Sequence, residues 1–138
     1  MSDFVTDFEL MCAAENAREK AYSPYSDFKV GAALLTKSGK VYLGCNIENA
    51  SFTPTVCAER VAFFEAVKNG ETDFEAIAIV GGKAGEKASA CAPCGVCRQV
   101  MAEFCQKDFR ILLGTKENFK AYTFGELFPL SFSSENLK

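Results

Sequence analysis

The sequence contains no histidine among its 138 residues. Histidine is the usual general base at neutral pH and a very common metal ligand in proteins. Its absence means that any hydrolytic chemistry in this chain must use carboxylates, thiolates or a metal ion held by other side chains.

Three further absences narrow the class of protein. There is no uninterrupted apolar stretch of about eighteen residues, the shortest that suggests a membrane span. The first twenty residues carry acids from the third position onward and have no apolar run of signal-peptide length. The net charge of −3 supplies no basic face for a phosphate backbone. We expect a cytoplasmic protein without a membrane or nucleic-acid partner.

The composition is that of an ordinary folded protein, with 49% hydrophobic and 24% charged residues. A chain of this length has enough apolar residues for one core, so we expect residues 1–138 to form a single domain. There are seven cysteines. An odd number of cysteines in a chain without a secretion signal favours metal ligation or redox chemistry over a disulfide framework.

Hydrophobic periodicity and turn residues predict an alternation of strands and helices. The predicted elements are a helix over 7–22, strands over 28–35 and 41–45, a helix from near Cys57 to Asn69-Gly70, a strand over 76–80, a helix from near Cys94, and strands over 109–113 and 119–123. Thr53 or Thr55 is expected to cap the second helix, and the glycines after residue 80 are expected to form a loop. This order predicts a three-layer α/β/α fold with a mixed central sheet of about five strands.

Three cysteines stand where two predicted helices begin. Cys94 and Cys97 are three residues apart in one first turn, so both thiols can face an ion beyond the helix end. Cys57 lies at the start of the preceding helix, and helix dipoles favour thiolates at such positions. Three protein ligands leave a tetrahedral zinc ion one position for water. We therefore predict a catalytic Zn²⁺ site.

Two residues next to Cys57 have side chains suited to this site. Glu59 follows two positions later, so its carboxylate can lie beside the metal without ligating it and can move protons. Three thiolates leave a divalent ion with an excess of negative charge, which would weaken its Lewis acidity. Arg60 can offset this charge by donating hydrogen bonds to the thiolates.

The motifs C-A-E at 57–59 and P-C-G-V-C at 93–97 resemble those of zinc nucleoside deaminases. With S-P-Y-S-D-F-K-V-G-A-A-L-L, G-C-N-I-E-N-A-S and F-S-S-E-N-L, the chain resembles the small homotetrameric cytidine deaminases of the three-cysteine type. The resemblance implies hydrolytic deamination of cytidine and 2'-deoxycytidine in pyrimidine salvage. Zinc-bound hydroxide would attack C4, Glu59 would carry the proton, and ammonia would leave.

The same resemblance implies which residues recognise the nucleoside. Phe28 would stack on the pyrimidine, while Asn46 and Glu48 would hydrogen-bond the ribose hydroxyls. Ala58 and Cys94 would offer backbone N–H groups near the base. Phe132, in the C-terminal tail, would complete the site of a neighbouring subunit, so that activity would depend on the homotetramer.

Three alternative interpretations of the sequence remain open. Cys91 and Cys94 form a C-x-x-C pair that resembles a thioredoxin-type redox motif, although this leaves the C-A-E motif unexplained. Cys91 could instead be the fourth ligand of a closed structural zinc site in a binding module. A blasticidin S-type deaminase would share the metal motif, but N-I-E at 46–48 favours a nucleoside. The remaining cysteines are expected to be small buried hydrophobes: Cys12, Cys45 and Cys105.

Overall fold

The computed structural model describes residues 5–138; Met1 to Phe4, the start of the segment expected to carry no secretion signal, lie outside the described residues. The elements in chain order are α1 (Asp7–Arg18), β1 (Phe28–Thr36), β2 (Val41–Cys45), α2 (Ala58–Lys68), β3 (Phe74–Lys83), α3 (Gly95–Phe104), β4 (Arg110–Thr115), β5 (Asn118–Thr123), α4 (Phe124–Leu127) and a final 3₁₀ turn (Ser134–Leu137).

The five strands form one mixed sheet in the order β2-β1-β3-β4-β5. Strands β3 and β4 are parallel, and the other three neighbouring pairs are antiparallel. The parallel pair is joined through α3, because parallel neighbours need a crossover connection. The predicted mixed sheet of about five strands is confirmed.

The sheet is covered on both faces, which confirms the predicted three layers. Alternate residues of a strand point to opposite faces, and β1 shows this clearly. Leu34 belongs to the apolar cluster under α2 and α3, whereas Leu35 belongs to the cluster under α1. Among the described residues, no helix is long and apolar enough to cross a membrane.

Helix α1 ends at Arg18, earlier than predicted, because the chain after it pairs as an extended segment. The backbone N–H of Tyr22 donates to the carbonyl of Asn46, and the N–H of Glu48 donates to the carbonyl of Tyr22. This pairing excludes helical geometry at Tyr22, which the pattern had included in the helix.

Two other local predictions were wrong. Strand β3 continues through Gly81 and Gly82, which pair with Val30 and Lys29 of β1, so long-range pairing replaces the expected loop. The N-cap of α2 is Cys57, not a threonine. The segment just before it remains extended because Val56 pairs with Ile47.

The absence of a side chain at Gly44 lets α2 lie directly on β2. A Cβ atom at this position would come within 2.2 Å of the carbonyl oxygen of Ala58 and within 2.6 Å of the nitrogen of Ala62. These are backbone atoms of α2, so the close approach fixes the first turn of that helix against the sheet. Cys57, Glu59 and Arg60 lie at this end of α2.

Candidate active site

Two helix N-termini bring the three predicted metal ligands together. Cys57 is the N-cap of α2 and Cys94 the N-cap of α3, and neither makes a side-chain capping hydrogen bond, so both sulfurs are free to bind an ion. The Sγ atom of Cys94 lies 3.7 Å from that of Cys57 and 3.6 Å from that of Cys97. All three sulfurs lie within 4.8 Å of one another.

The spacing of the sulfurs fits a zinc ion. With a Zn–S bond of about 2.3 Å, two ligands of a tetrahedral zinc are roughly 3.8 Å apart. Both measured sulfur pairs come close to that separation. Cys97 is buried and Cys94 is exposed, so one side of the cluster is open. Such a site can hold zinc with three thiolates and leave the fourth position for a small molecule.

Cys91 does not belong to this group of ligand atoms within the described part of the chain. It is half-buried and packs against the apolar cluster under α2 and α3. Burial, followed by the nearby charges of Glu59 and two ligand cysteines, raises the pKa of its thiol to about 11. The position of its sulfur outside the ligand cluster disfavours the closed four-cysteine site considered from the sequence.

Arg60 lies against the sulfur of the predicted ligand Cys57. Its Nη2 atom donates to the Sγ atom of Cys57 over 3.5 Å. The neighbouring Cys97 thiol, followed by Arg60 and Cys94, lowers the pKa of Cys57 to about 5. Negative charge is therefore stabilised at the Cys57 sulfur, which suits metal ligation.

Glu59 is a buried carboxylic acid in the first turn of α2, with only 3% of its surface exposed. Burial raises its pKa to about 7, and the negative charge at Cys57 adds to this effect. A bound divalent cation would act in the opposite direction, because a nearby positive charge favours the ionised form. Glu59 is not one of the clustered ligand atoms, so its carboxylate is available for proton transfer.

Asn46 is buried and holds the beginning of β1. Its Nδ2 atom donates to the carbonyl of Phe28 over 2.9 Å, and its Oδ1 atom accepts from the N–H of Val30 over 2.8 Å. An amide carries one more N–H and one more lone pair than these bonds use. Contact with a ribose hydroxyl stays a prediction, while the observed bonds orient the strand that carries Phe28.

Glu48 holds a turn that the sequence analysis had not assigned to the site. Its Oε1 atom accepts from the N–H groups of Tyr25 and Ser26, over 2.9 and 3.1 Å, and its other oxygen accepts from the Ser26 hydroxyl. The hydroxyl contact keeps the pKa of Glu48 low. Glu48, Tyr25 and Ser26 line a cavity of about 330 Å³ with Phe52. Phe52 is 76% exposed.

Phe28 lies beside Cys91 at the end of β3. A Cβ atom at Gly81 would stand 3.0 Å from a ring carbon of Phe28 and 2.8 Å from the Cβ atom of Cys91. The Phe28 ring and the Cys91 side chain therefore face the same point of β3, and Cys91 precedes the ligand Cys94 by three residues. Gly81 thus makes room for the ring, a role that the turn pattern alone could not reveal.

The remaining predicted residues lie at the first turn of α2, at α3 and in the tail. Ala58 is completely buried and is the first residue of α2. Its N–H is therefore one of the donors without an intrahelical acceptor, as is expected of helix starts. Cys94 is the N-cap of α3, one position before its first helical residue. Phe132 is 57% exposed in this single chain.

A zinc-binding set of three sulfurs beside a buried carboxylate defines the class of metal-dependent hydrolases. Comparison with known proteins identifies the family. The family described as "Cytidine and deoxycytidylate deaminase zinc-binding region" matches residues 5–113. The chain belongs to this family, which confirms the predicted enzyme class and its zinc cofactor.

Two relatives illustrate the range of the family. A cytidine deaminase of Sporosarcina psychrophila is 46% identical over 130 residues, covering 94% of this chain and 93% of the relative. A blasticidin-S deaminase of Bacillus cereus is 34% identical over 133 residues, covering 92% of each chain.

Solved structures share the fold. The crystal structure of a cytidine deaminase from Burkholderia pseudomallei superposes with a TM-score of 0.84 at 46% identity and covers 92% of this chain and 99% of its own. That of Mycobacterium tuberculosis cytidine deaminase superposes with a TM-score of 0.78 at 35% identity, covering 92% and 98%. The likeness therefore extends over nearly the whole chain.

Proposed function

We propose that this chain removes the amino group at C4 of cytidine and 2'-deoxycytidine by hydrolysis. Water supplies the oxygen, and the products are uridine or 2'-deoxyuridine and ammonia. The observation that carries the proposal is the convergence of two helix N-termini, which brings the three cysteine sulfurs together with buried Glu59 in the first turn of α2. The similarity to cytidine deaminases over nearly the entire chain supports this substrate.

In this proposal Cys57, Cys94 and Cys97 hold zinc. When bound, the ion acts as a Lewis acid that makes a water molecule nucleophilic at neutral pH. Glu59 accepts a proton from the attacking water and delivers it to N3 of the ring. A second proton then passes through Glu59 to the amino nitrogen, the C4–N bond breaks, and ammonia leaves as the C4 carbonyl forms.

Other residues prepare the site. Arg60 withdraws negative charge from the thiolates by hydrogen bonding, which maintains the acidity of the metal centre. The N–H groups of Ala58 and Cys94 are donors for the pyrimidine ring, because helix starts leave such donors without an acceptor. These groups orient the base without taking part in bond cleavage.

Substrate selection is assigned to Phe28 and the loop that contains Asn46 and Glu48. The Phe28 ring stacks on the base, and the two polar side chains bind the sugar. Glu48 is exposed to the cavity near Ser26 with a lowered pKa, so it is negatively charged. A carboxylate repels a phosphate group, which favours a nucleoside over a nucleotide.

We further propose that residues 1–138 act as one domain and assemble into a cytoplasmic homotetramer. Both apolar clusters of the described chain lie on the same sheet. Several large apolar side chains remain exposed and could be covered by other copies: Leu43, Phe52, Phe64, Val96 and Phe132. A site made of three thiolates also needs a compartment that keeps cysteines reduced.

Ammonia release from cytidine, 2'-deoxycytidine, dCMP and blasticidin S tests the proposal directly. We expect turnover of the two nucleosides, little turnover of dCMP and no activity after removal of zinc. Turnover of blasticidin S with silence on both nucleosides would assign the chain to the alternative deaminase. Silence on all four, with tightly bound zinc, would support a structural metal site.

A further inference from the structure

The proposed metal ligand Cys94 lies in a part of the chain that has few contacts of its own. Within the described chain, no backbone–backbone hydrogen bond involves residues 90–93. Cys94 is exposed, and so are the two residues that follow it, Gly95 and Val96. Neither regular structure before Cys94 nor burial of its side chain therefore fixes the direction of its sulfur.

One residue of α3, Arg98, reaches back to this part of the chain. Its Nε atom donates to the carbonyl of Pro93 over 2.8 Å. Its backbone N–H donates to the carbonyl of Cys94 over 3.0 Å. The two carbonyls belong to the peptide groups on either side of the Cα atom of Cys94, so a single residue holds both of these groups.

Holding both peptide groups fixes the direction in which the Cys94 side chain leaves the backbone. Peptide groups are planar, so each residue has two free backbone dihedral angles. The ring of Pro93 sets the φ angle of that residue, and the Arg98 bond to its carbonyl holds the other angle, ψ. Cys94 has the extended backbone of an N-cap, with φ −73° and ψ 172°. With these angles held, only the χ1 rotamer of Cys94 remains to place its sulfur.

The guanidinium of Arg98 is itself held by a third element. Its Nη1 atom donates to the carbonyl of Leu127, the last residue of α4. A guanidinium is planar and rigid, so a bond at Nη1 also orients the N–H group at Nε. The backbone of Cys94 is thus connected to α4, although α4 contains none of the proposed ligands.

We propose that Arg98 is a positioning residue that, through the peptide groups around Cys94, holds the Cys94 sulfur where zinc binds. The inference rests on the zinc site of the proposed function and not on the identity of the substrate. Loss of the Arg98 side chain keeps all three ligands but lets the turn before α3 take other conformations. Zinc affinity then falls with the fraction of molecules in which the three sulfurs are in place.

Competition with a chromophoric chelator measures the zinc dissociation constant of Arg98→Gln. The matched control is Arg110→Gln, because Arg110 is also half-buried and joins two elements, β4 and α1, through Asp7. We expect the dissociation constant to rise roughly tenfold or more in Arg98→Gln, as is common when a residue that supports metal ligands is lost. Arg110→Gln should bind zinc as tightly as the wild type. Arg98→Lys, which lacks the rigid fork, carries the same test if Arg98→Gln does not fold, and its dissociation constant should also rise.

A spectroscopic measurement separates this role from a general loss of stability. In the cobalt-substituted protein, absorption from thiolate-to-cobalt charge transfer reports the sulfurs bound to the ion. It should be weaker in Arg98→Gln and unchanged in Arg110→Gln, even if chemical denaturation shows equal losses of stability.

An unchanged zinc dissociation constant or cobalt spectrum in Arg98→Gln, or equal changes in Arg110→Gln, would overturn the inference. Cys94→Ser shows which part has failed. If Cys94→Ser also binds zinc as tightly as the wild type, the proposed ligand set is wrong, and the role of Arg98 is wrong with it. If Cys94→Ser loses zinc while Arg98→Gln does not, the ligand set stands and only the role of Arg98 is refuted.

Discussion

The guanidinium of Arg60 lies 3.5 Å from the sulfur of Cys57, and its Nε atom is buried without a hydrogen-bond partner. Leaving such a donor unpaired in the interior carries a cost. The loss of stability is offset because the positive charge of the Arg60 guanidinium stabilises the thiolate of Cys57. The pair therefore links the electrostatics of the metal site to a residue that does not bind the metal.

Replacing Arg60 by glutamine should lower kcat for cytidine roughly tenfold or more, because residues that support metal ligands commonly contribute that much. The thiolates would then carry more negative charge and would weaken the Lewis acid. Zinc content by elemental analysis and steady-state kinetics check this. Lys68→Gln, which removes an exposed cation from the same helix, should be neutral. Equal kcat values for Arg60→Gln and Lys68→Gln would show that Arg60 does not support the metal site.

Glu59→Gln keeps the size of the side chain and removes its ability to accept a proton. We expect kcat to fall by about a thousandfold or more, since a positioned proton-transfer group contributes roughly that order. Zinc should remain bound, because Glu59 is outside the ligand cluster. Glu65→Gln on the exposed part of α2 is the control. Substantial turnover by Glu59→Gln would assign the proton transfer to another group.

Cys94→Ser and Cys91→Ser separate a three-ligand site from a four-ligand one. Cys94→Ser should lose most zinc and all measurable activity, because one of the three clustered sulfurs is replaced. Cys91→Ser should keep zinc at one ion per chain and retain activity, since its thiol is packed beside the site and is not part of the cluster. Loss of zinc from both variants would establish Cys91 as a ligand.

The sequence predicted most of the elements because their local signals agree. Helices α2 and α3 begin directly after their N-caps Cys57 and Cys94, where the apolar periodicity starts. Cys94 and Cys97 lie three residues apart on one helical turn, and this spacing indicated that both bind the same metal ion. Cys57 lies far away in sequence, and its place in the cluster followed from its position at a helix start.

Other features depend on partners distant in sequence and had no local signal. The extension of β3 through Gly81 and Gly82 is decided by pairing with β1. The turn at Tyr25 and Ser26 is held by Glu48, more than twenty residues later. Likewise, the bond from Arg98 to the carbonyl of Leu127 spans 29 residues. Periodicity describes one element at a time and cannot show such contacts.

Asn46→Ala should destabilise the protein by about 2–4 kcal/mol, because two buried hydrogen bonds to β1 are lost and a backbone N–H and C=O lose their partners. The bonds concerned are those to Val30 and Phe28. Chemical denaturation measures the change in the free energy of unfolding. Asn118→Ala on the exposed edge strand is the control and should change it little. A stability equal to that of the control would show that the two bonds to β1 do not stabilise the fold.

Gly44→Ala tests whether the close contact between β2 and α2 positions the metal site. The new methyl group would meet backbone atoms of α2 at 2.2 and 2.6 Å, and backbone cannot rotate away as a side chain can. We expect a loss of about 1–3 kcal/mol or more in stability, the range found for overpacked cores. Zinc affinity should fall as well, because the displaced turn carries Cys57. Gly125→Ala, whose nearest new contact is 3.4 Å, is the matched control and should keep both properties. If Gly44→Ala keeps its zinc affinity while its stability falls, the contact supports the fold alone and the first turn of α2 is held in place by the metal ligands themselves.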